Sequence, residues 1–309
     1  NNFTIEVAQF TGQEIGILQS LRVPGFMAFG VVFLLLLVRE QPLATLSLIF
    51  LGIGTALTGF FPSELGLYLT TVLMSLGFHY FETVRQSLAL QWLEKKQAPF
   101  IMGQISSAWS KAALVTLLVF YLVVDQLGLA YQWVYLLGGG SAVLIALLVA
   151  KIYPHFPQTV TQHRHLIIRR RYWLYYALTF LSGARRQIFV VFAGFLLVEK
   201  FQFSVPAITL LFLANQTLNM LFAPKIGQFI ADWGERRSLL IEYLGLIIIF
   251  ICYAYVETPW VAVILYITDH LFFAMAIAQK TYFQKIADPA DFASTAGVAF
   301  SINHIAAVI

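Results

Sequence analysis

Ten apolar segments, each close to the length of a membrane-spanning helix, dominate this chain of 309 residues. A helix needs about 20 mostly apolar residues to cross the hydrocarbon core of a bilayer. The segments predict spans at residues 15–38, 42–61, 66–92, 100–124, 130–151, 172–198, 204–226, 239–256, 259–281 and 292–309. The sequence therefore predicts an all-α protein that is a polytopic transmembrane helical bundle.

The composition supports the same class and excludes others. Hydrophobic residues make up 60% of the chain and charged residues only 11%, far from the balance of a soluble domain. The single cysteine, Cys252, lies inside an apolar run, so neither a disulfide framework nor a cysteine-ligated metal site is expected. The net charge of +4 does not indicate nucleic-acid binding, because the basic residues collect in the turns between spans.

The distribution of lysine and arginine predicts the orientation of the chain, because these residues are enriched in cytoplasmic loops. One set of alternate turns holds Arg39, Lys95, Lys96, Lys151, Arg164, Arg169, Arg170, Arg171, Arg236, Arg237, Lys280 and Lys285. The opposite set holds only Lys200. We therefore expect an integral protein of the bacterial inner membrane, with its long basic segment, residues 152–171, in the cytoplasm.

A charged motif follows the predicted span 204–226. Glycine permits a tight turn between helices, and a pair of arginines holds a loop on the cytoplasmic side. The motif resembles the cytoplasmic loop signature of the major facilitator superfamily, G-x-x-x-D-R-x-G-R-R, although Ala231 replaces the family's aspartate and Asp232 replaces a basic residue. The residues that the resemblance assigns to this conformational loop are Gly227, Asp232, Gly234, Arg236 and Arg237.

The resemblance implies two six-helix halves joined by a long cytoplasmic loop. If residues 152–171 are that loop, residues 1–151 form an N-terminal half with family helices two to six. Residues 172–309 then form a C-terminal half with helices seven to eleven, the last one truncated. About ten to eleven of the twelve family helices are therefore expected in this chain. In the first half, only Arg39-Glu40 stands where the loop signature is expected.

Ionisable side chains inside the predicted spans are candidates for function, because a charge in the bilayer needs a partner or a polar cavity. These residues are Arg22, His79, Glu82, Arg85, Lys111, Arg185, Arg186, Asp269, His270 and His304. The apolar bodies of helices three, six and nine, about 42–61, 130–150 and 243–256, carry no charge. The resemblance implies that these three helices face lipid while helices one, four, seven and ten line a central cavity.

Two groups of titratable residues are candidates for proton coupling. His79, Glu82 and Arg85 share one face of helix four at steps of three residues, which permits an ion pair between Glu82 and Arg85. That pair either orients the helix or contains a carboxylate that exchanges a proton. Asp269-His270 on helix ten is either a proton relay or a packing hydrogen bond.

Three arginines are candidates for substrate binding: Arg85, Arg185 and Arg186. Adjacent helical residues point about 100° apart, so one of Arg185 and Arg186 can meet Asp269 while the other meets a substrate or Glu82. Cations outnumber carboxylates within the spans, and guanidinium groups suit carboxylate or phosphate oxygens. We therefore expect an anionic substrate, unless carboxylates of helix one remove this surplus.

Small and polar residues within other spans have simpler interpretations. Gly138-Gly139-Gly140 and the small residues preceding His304 indicate close helix packing. The polar group on helix eight indicates either hydrogen bonding between helices or a cavity lining; it comprises Asn215, Gln216, Thr217 and Asn219.

The leading functional hypothesis is a secondary active transporter that works by alternating access, with a small solute and protons as its partners in the bilayer. We expect a monomer without cofactor or metal and without enzymatic activity. One alternative is a transport-incompetent scaffold or sensor, which the degraded first-half signature favours. Another is a membrane-embedded enzyme with a metal among His79, Glu82, Asp269, His270 and His304, although the arginines in the same layer would repel a dication.

Overall fold

The computed structural model describes residues 2–21, 28, 30–35, 37–156 and 160–306. Within this part the regular structure is helical throughout. The α-helices are α1 (Asn2–Glu6), α2 (Gly12–Leu21), α3 (Val31–Leu34), α4 (Glu40–Thr58), α5 (Glu64–Trp92), α6 (Ala98–Tyr121), α7 (Tyr131–Ile152), α8 (Trp173–Ile188), α9 (Gly194–Glu199), α10 (Val205–Trp233), α11 (Glu235–Tyr255), α12 (Pro259–Phe272), α13 (Ala276–Ile286) and α14 (Phe292–Ile305).

Shorter turns join some of these helices end to end. A π-helical turn, Phe189–Ala193, links α8 to α9, and a 3-10 turn, Phe273–Met275, links α12 to α13. Each pair corresponds to one predicted span, 172–198 and 259–281. Among the described residues, six helical segments are long and apolar enough to cross a membrane. The all-α membrane fold is therefore confirmed.

The chain forms two compact units that do not follow the order of the sequence. The first unit contains residues 1–91, 119–169 and 288–305, and the second contains residues 92–118, 170–287 and 306–309. The last helix, α14, thus belongs with the first unit, and most of α6 belongs with the second. The division into halves at residues 152–171 stays a prediction.

In the first unit, α4 packs closely against α7 through glycine. A Cβ atom at Gly139 would lie 2.3 Å from the backbone nitrogen of Ala56 and 2.3 Å from the backbone oxygen of Gly52. The two backbones can touch because neither glycine carries a side chain. Of the three glycines predicted to pack, Gly139 is therefore the one that contacts α4, because a Cβ at Gly138 or Gly140 would meet no neighbouring atom within 4 Å.

In the second unit, α6 packs against α10, and serine and asparagine side chains cross-link them. Ser110 donates a hydrogen bond to Gln216 at 2.8 Å, and Asn219 donates to Ser110 at 2.7 Å. Ser107 donates to the backbone oxygen of Met220 at 2.6 Å. Of the two interpretations of the polar residues on helix eight, the structure therefore supports helix–helix hydrogen bonding for Gln216 and Asn219.

The loop motif is shorter than the sequence suggested. Gly227 does not form a turn, because α10 continues to Trp233 and the glycine allows α10 to approach Pro99 of α6. The change of direction occurs at Gly234, whose φ of 82° favours glycine. Asp232 accepts a hydrogen bond from Gln228 at 2.9 Å within α10. Arg236 and Arg237 are exposed in the first turn of α11.

Candidate functional site

A buried group of charged side chains in the second unit surrounds Arg185 of α8. Its Nη1 donates to Oε1 of Glu242 in α11 at 2.8 Å. Its Nη2 donates to the backbone oxygen of Asp269 in α12 at 3.1 Å and lies 3.4 Å from Asp269 Oδ1. All three residues are buried, and Asp269 is completely so. One guanidinium group therefore joins three helices and two carboxylates.

Aromatic rings lie against this charged centre. The guanidinium carbon of Arg185 lies 4.2 Å from the ring centroid of Phe273, an arrangement that stabilises a cation over a π face. Phe273 begins the 3-10 turn that interrupts the helix after α12. His270 lies beside the same ring, with centroids 5.6 Å apart, and its Nδ1 has no hydrogen-bond partner among the described residues. The rings of Phe273 and His270 therefore border the charged centre.

Glu242 is the residue of this centre that sequence reasoning missed. The prediction that helix nine carries no charge in its apolar body, 243–256, began one residue too late, because α11 extends from Glu235 to Tyr255. Glu242 lies in the second turn and is buried at 4% exposure. The signal that could have found it was a carboxylate within the predicted span 239–256. Its ion pair with Arg185 reveals why that charge is tolerated at a helix interface.

The electrostatic environment of Arg186 differs from that of Arg185. The helical rotation turns its side chain away from the direction of Arg185, and it is half-buried. Within the part of the chain that the structure describes, no carboxylate lies within ion-pair distance of Arg186. The two adjacent arginines therefore have different electrostatic environments, as expected from their angular separation.

The helix-four residues form a second polar group, in the first unit. Arg85 donates two hydrogen bonds to the carboxylate of Glu82, at 3.0 and 2.6 Å. His79 is buried, and its Nδ1 lies 2.5 Å from the backbone oxygen of Ser75. The ring of His304 in α14 is 4.9 Å from the ring of His79. Glu82 and Arg85 are thus paired locally, while His79 faces α14.

The candidate residues therefore fall into two groups in different units. Arg185 and Asp269 meet directly, with His270 beside them, whereas Glu82 pairs with Arg85. A common central cavity for both groups stays a prediction, and Arg22 lies outside the described residues. No group of three or more histidine, cysteine, aspartate or glutamate side chains in the described ranges is arranged to hold a metal ion.

These features define a class: a polytopic membrane protein whose apolar helices enclose a buried charged centre. The family model of the Major Facilitator Superfamily matches residues 3–309, so the chain belongs to that superfamily. No curated relative matches the sequence significantly.

Solved structures with the same fold include three transporter structures. The human organic anion transporter MFSD10 (TETRAN) is 14% identical with a TM-score of 0.65, over 94% of this chain and 74% of that one. The transporter FucP in its outward conformation is 12% identical with a TM-score of 0.67, over 97% and 90% of the two chains. The E. coli fucose:proton symporter FucP is 13% identical with a TM-score of 0.62, over 100% and 93%.

Proposed function

We propose that this member of the superfamily is a secondary active transporter that carries an anionic small solute and couples its movement to protons. Alternating access of two helical halves around a central site is the mechanism expected of such a fold. Two of the similar structures belong to a proton symporter and an organic anion transporter, which is consistent with both parts of the proposal.

The observation that carries the anionic preference is the contrast between Arg185 and Arg186. Arg185 lies within ion-pair distance of two carboxylates, and Arg85 is paired with Glu82. Arg186 has no such partner in the described part of the chain. An arginine cannot lose its proton to escape burial, so a half-buried guanidinium is favourable where an anion can reach it. Of the three predicted substrate-binding arginines, Arg186 is therefore the principal candidate.

The proton-coupling role fits Asp269 best. Its side chain is completely buried, its Oδ1 is 3.4 Å from Arg185, and its Oδ2 has no hydrogen-bond partner among the described residues. A carboxylate with one weak ion pair and one unsatisfied oxygen is a favourable proton acceptor. His270 is the neighbouring candidate, whereas Glu82 and His79 have closer hydrogen-bonding contacts in the first unit.

The test is transport by the full-length protein in reconstituted vesicles. Counterflow with small organic anions and with neutral sugars should reveal exchange of an anion and little exchange of a sugar. Arg186→Gln should raise KM for the anion at least tenfold, and Arg186→Lys should recover part of the affinity. Arg170→Gln, which alters an exposed arginine, should leave KM unchanged.

Four outcomes would contradict the proposal. Exchange of neutral solutes alone, or an unchanged KM in Arg186→Gln, would exclude the anionic site. Accumulation that does not respond to a proton gradient would exclude coupling. The absence of any flux in a well-folded preparation would favour the scaffold or sensor hypothesis.

A further inference from the structure

The buried centre contains more negative than positive charge. Glu242 and Asp269 contribute two carboxylates, and Arg185 contributes the one guanidinium group that both contact. If both carboxylates were ionised, this buried centre would carry one net negative charge. Burial of an unbalanced charge is costly, and the group involved usually becomes neutral instead. Because arginine cannot lose its proton, one of the two carboxylates must gain one.

The geometry distinguishes the two carboxylates. Glu242 accepts from Arg185 at 2.8 Å, the distance of a charge-assisted hydrogen bond. Asp269 Oδ1 is 3.4 Å from Arg185, which is beyond the usual range. The backbone oxygen of Asp269, at 3.1 Å, accepts from the same Nη2 atom. Arg185 therefore stays attached to α12 whether or not the Asp269 side chain is ionised.

We infer that Glu242 is the permanent counter-ion of Arg185, and that it thereby leaves Asp269 able to bind and release the coupling proton. This inference rests on the proposed proton coupling and adds a positioning residue from helix nine. Without Glu242, Asp269 would be the only anion available to Arg185 and would be held in its ionised form. Glu242 therefore acts through Arg185 on the proton affinity of Asp269.

Other titratable groups face this centre, and none replaces Glu242. Tyr253 of α11 and Tyr266 of α12 lie close enough to Asp269 for its charge to act on them. Tyr243 of α11 is similarly close to Glu242, and His270 of α12 is close to Arg185. The tyrosines are hydrogen-bond donors that stay neutral near physiological pH. Glu242 is therefore the group among these that supplies a second fixed negative charge.

The test is the pH profile of proton-driven uptake by the full-length protein. Asp269→Asn should abolish accumulation at every pH while anion exchange continues. Glu242→Gln should retain exchange but shift the pH profile of accumulation by about one unit or more toward acid, since Asp269 then pairs with Arg185 alone. Glu242→Asp should restore most of the original profile. Glu257→Gln, which alters an exposed carboxylate beyond the end of α11, should leave it unchanged.

The outcomes separate this inference from the proposed coupling. Proton-driven uptake by Asp269→Asn would refute the coupling role of Asp269 itself. Loss of uptake in Asp269→Asn together with an unshifted profile in Glu242→Gln would refute the inference alone. If Glu242→Gln does not fold, infrared spectroscopy of the wild type and of Asp269→Asn provides the test. The wild type should show a carboxylic acid band at neutral pH, and this band should be missing from Asp269→Asn. Persistence of the band in Asp269→Asn would overturn the inference.

Discussion

Arg169, near the end of the basic segment, forms two hydrogen bonds with the completely buried carboxylate of Asp291, the residue just before α14. The segment makes further contacts with the same end of that helix. The backbone of His163 donates to Ala290 at 2.9 Å, and the backbone of Ile167 donates to Ser294 at 2.8 Å. The segment predicted as a central loop is therefore held against α14 within the first unit.

Neutralising this contact should loosen the segment. Asp291→Asn replaces the carboxylate that Arg169 contacts with a neutral amide and weakens a buried hydrogen-bond group, which should lower stability by about 1–3 kcal/mol. Thermal unfolding in detergent measures the loss, and limited proteolysis should cut within residues 161–169 sooner. Arg164→Gln, in an exposed position of the same segment, is the control and should resemble the wild type. Equal protease resistance in Asp291→Asn would contradict the expected restraint.

The contact of α4 with α7 should not tolerate a methyl group at Gly139. Gly139→Ala would place a carbon atom 2.3 Å from two backbone atoms of α4. The helices would have to separate, at a cost of about 1–3 kcal/mol. The melting temperature in detergent is the measurement. Gly138→Ala makes the same chemical change at the preceding residue, where the space is open. It should leave the melting temperature unchanged or raise it slightly. Similar melting temperatures for the two variants would show that this packing does not limit stability.

Replacing Arg185 alone should destabilise the protein more than replacing Arg185, Glu242 and Asp269 together. Arg185→Met leaves Glu242 without its cation, and such uncompensated burial costs about 3–5 kcal/mol. The triple variant Arg185→Met, Glu242→Gln, Asp269→Asn contains no buried charge at this centre and should recover much of the folded yield. The measurement is the monodisperse fraction after detergent extraction. A triple variant no more stable than Arg185→Met would contradict the expectation that an unpaired buried carboxylate destabilises the single variant.

The predicted cytoplasmic location of the basic residues can be tested with cysteine labelling. In a Cys252→Ser background, Arg164→Cys, Arg236→Cys and Glu257→Cys each introduce one thiol at an exposed position. An impermeant maleimide applied to intact cells should label position 257 only, because lysine and arginine mark the inner loops. Positions 164 and 236 should react after permeabilisation. Labelling of positions 164 and 236 from outside would show that the predicted topology is wrong.

Much of the secondary structure could be predicted from the sequence because membrane-length apolar runs leave few alternatives to helices. The span 130–151 differs from α7 by one residue at each end, and the span 42–61 overlaps most of α4. The family resemblance, drawn from a turn motif, agrees with the family match. Boundaries were less predictable where helices continue beyond the apolar run, as α10 does through Gly227.

The arrangement of charges illustrates what the sequence alone determined and what only the tertiary structure decided. The sequence placed Arg185, Arg186 and Asp269 on helices and indicated that two adjacent arginines cannot share one partner, because a helix rotates by about 100° per residue. The packing of α8, α11 and α12 decides which arginine contacts Asp269. It also decides that Glu242 pairs with Arg185. Such contacts join residues 57 and 84 positions apart. Local periodicity cannot specify them, because they follow from the three-dimensional packing of whole helices.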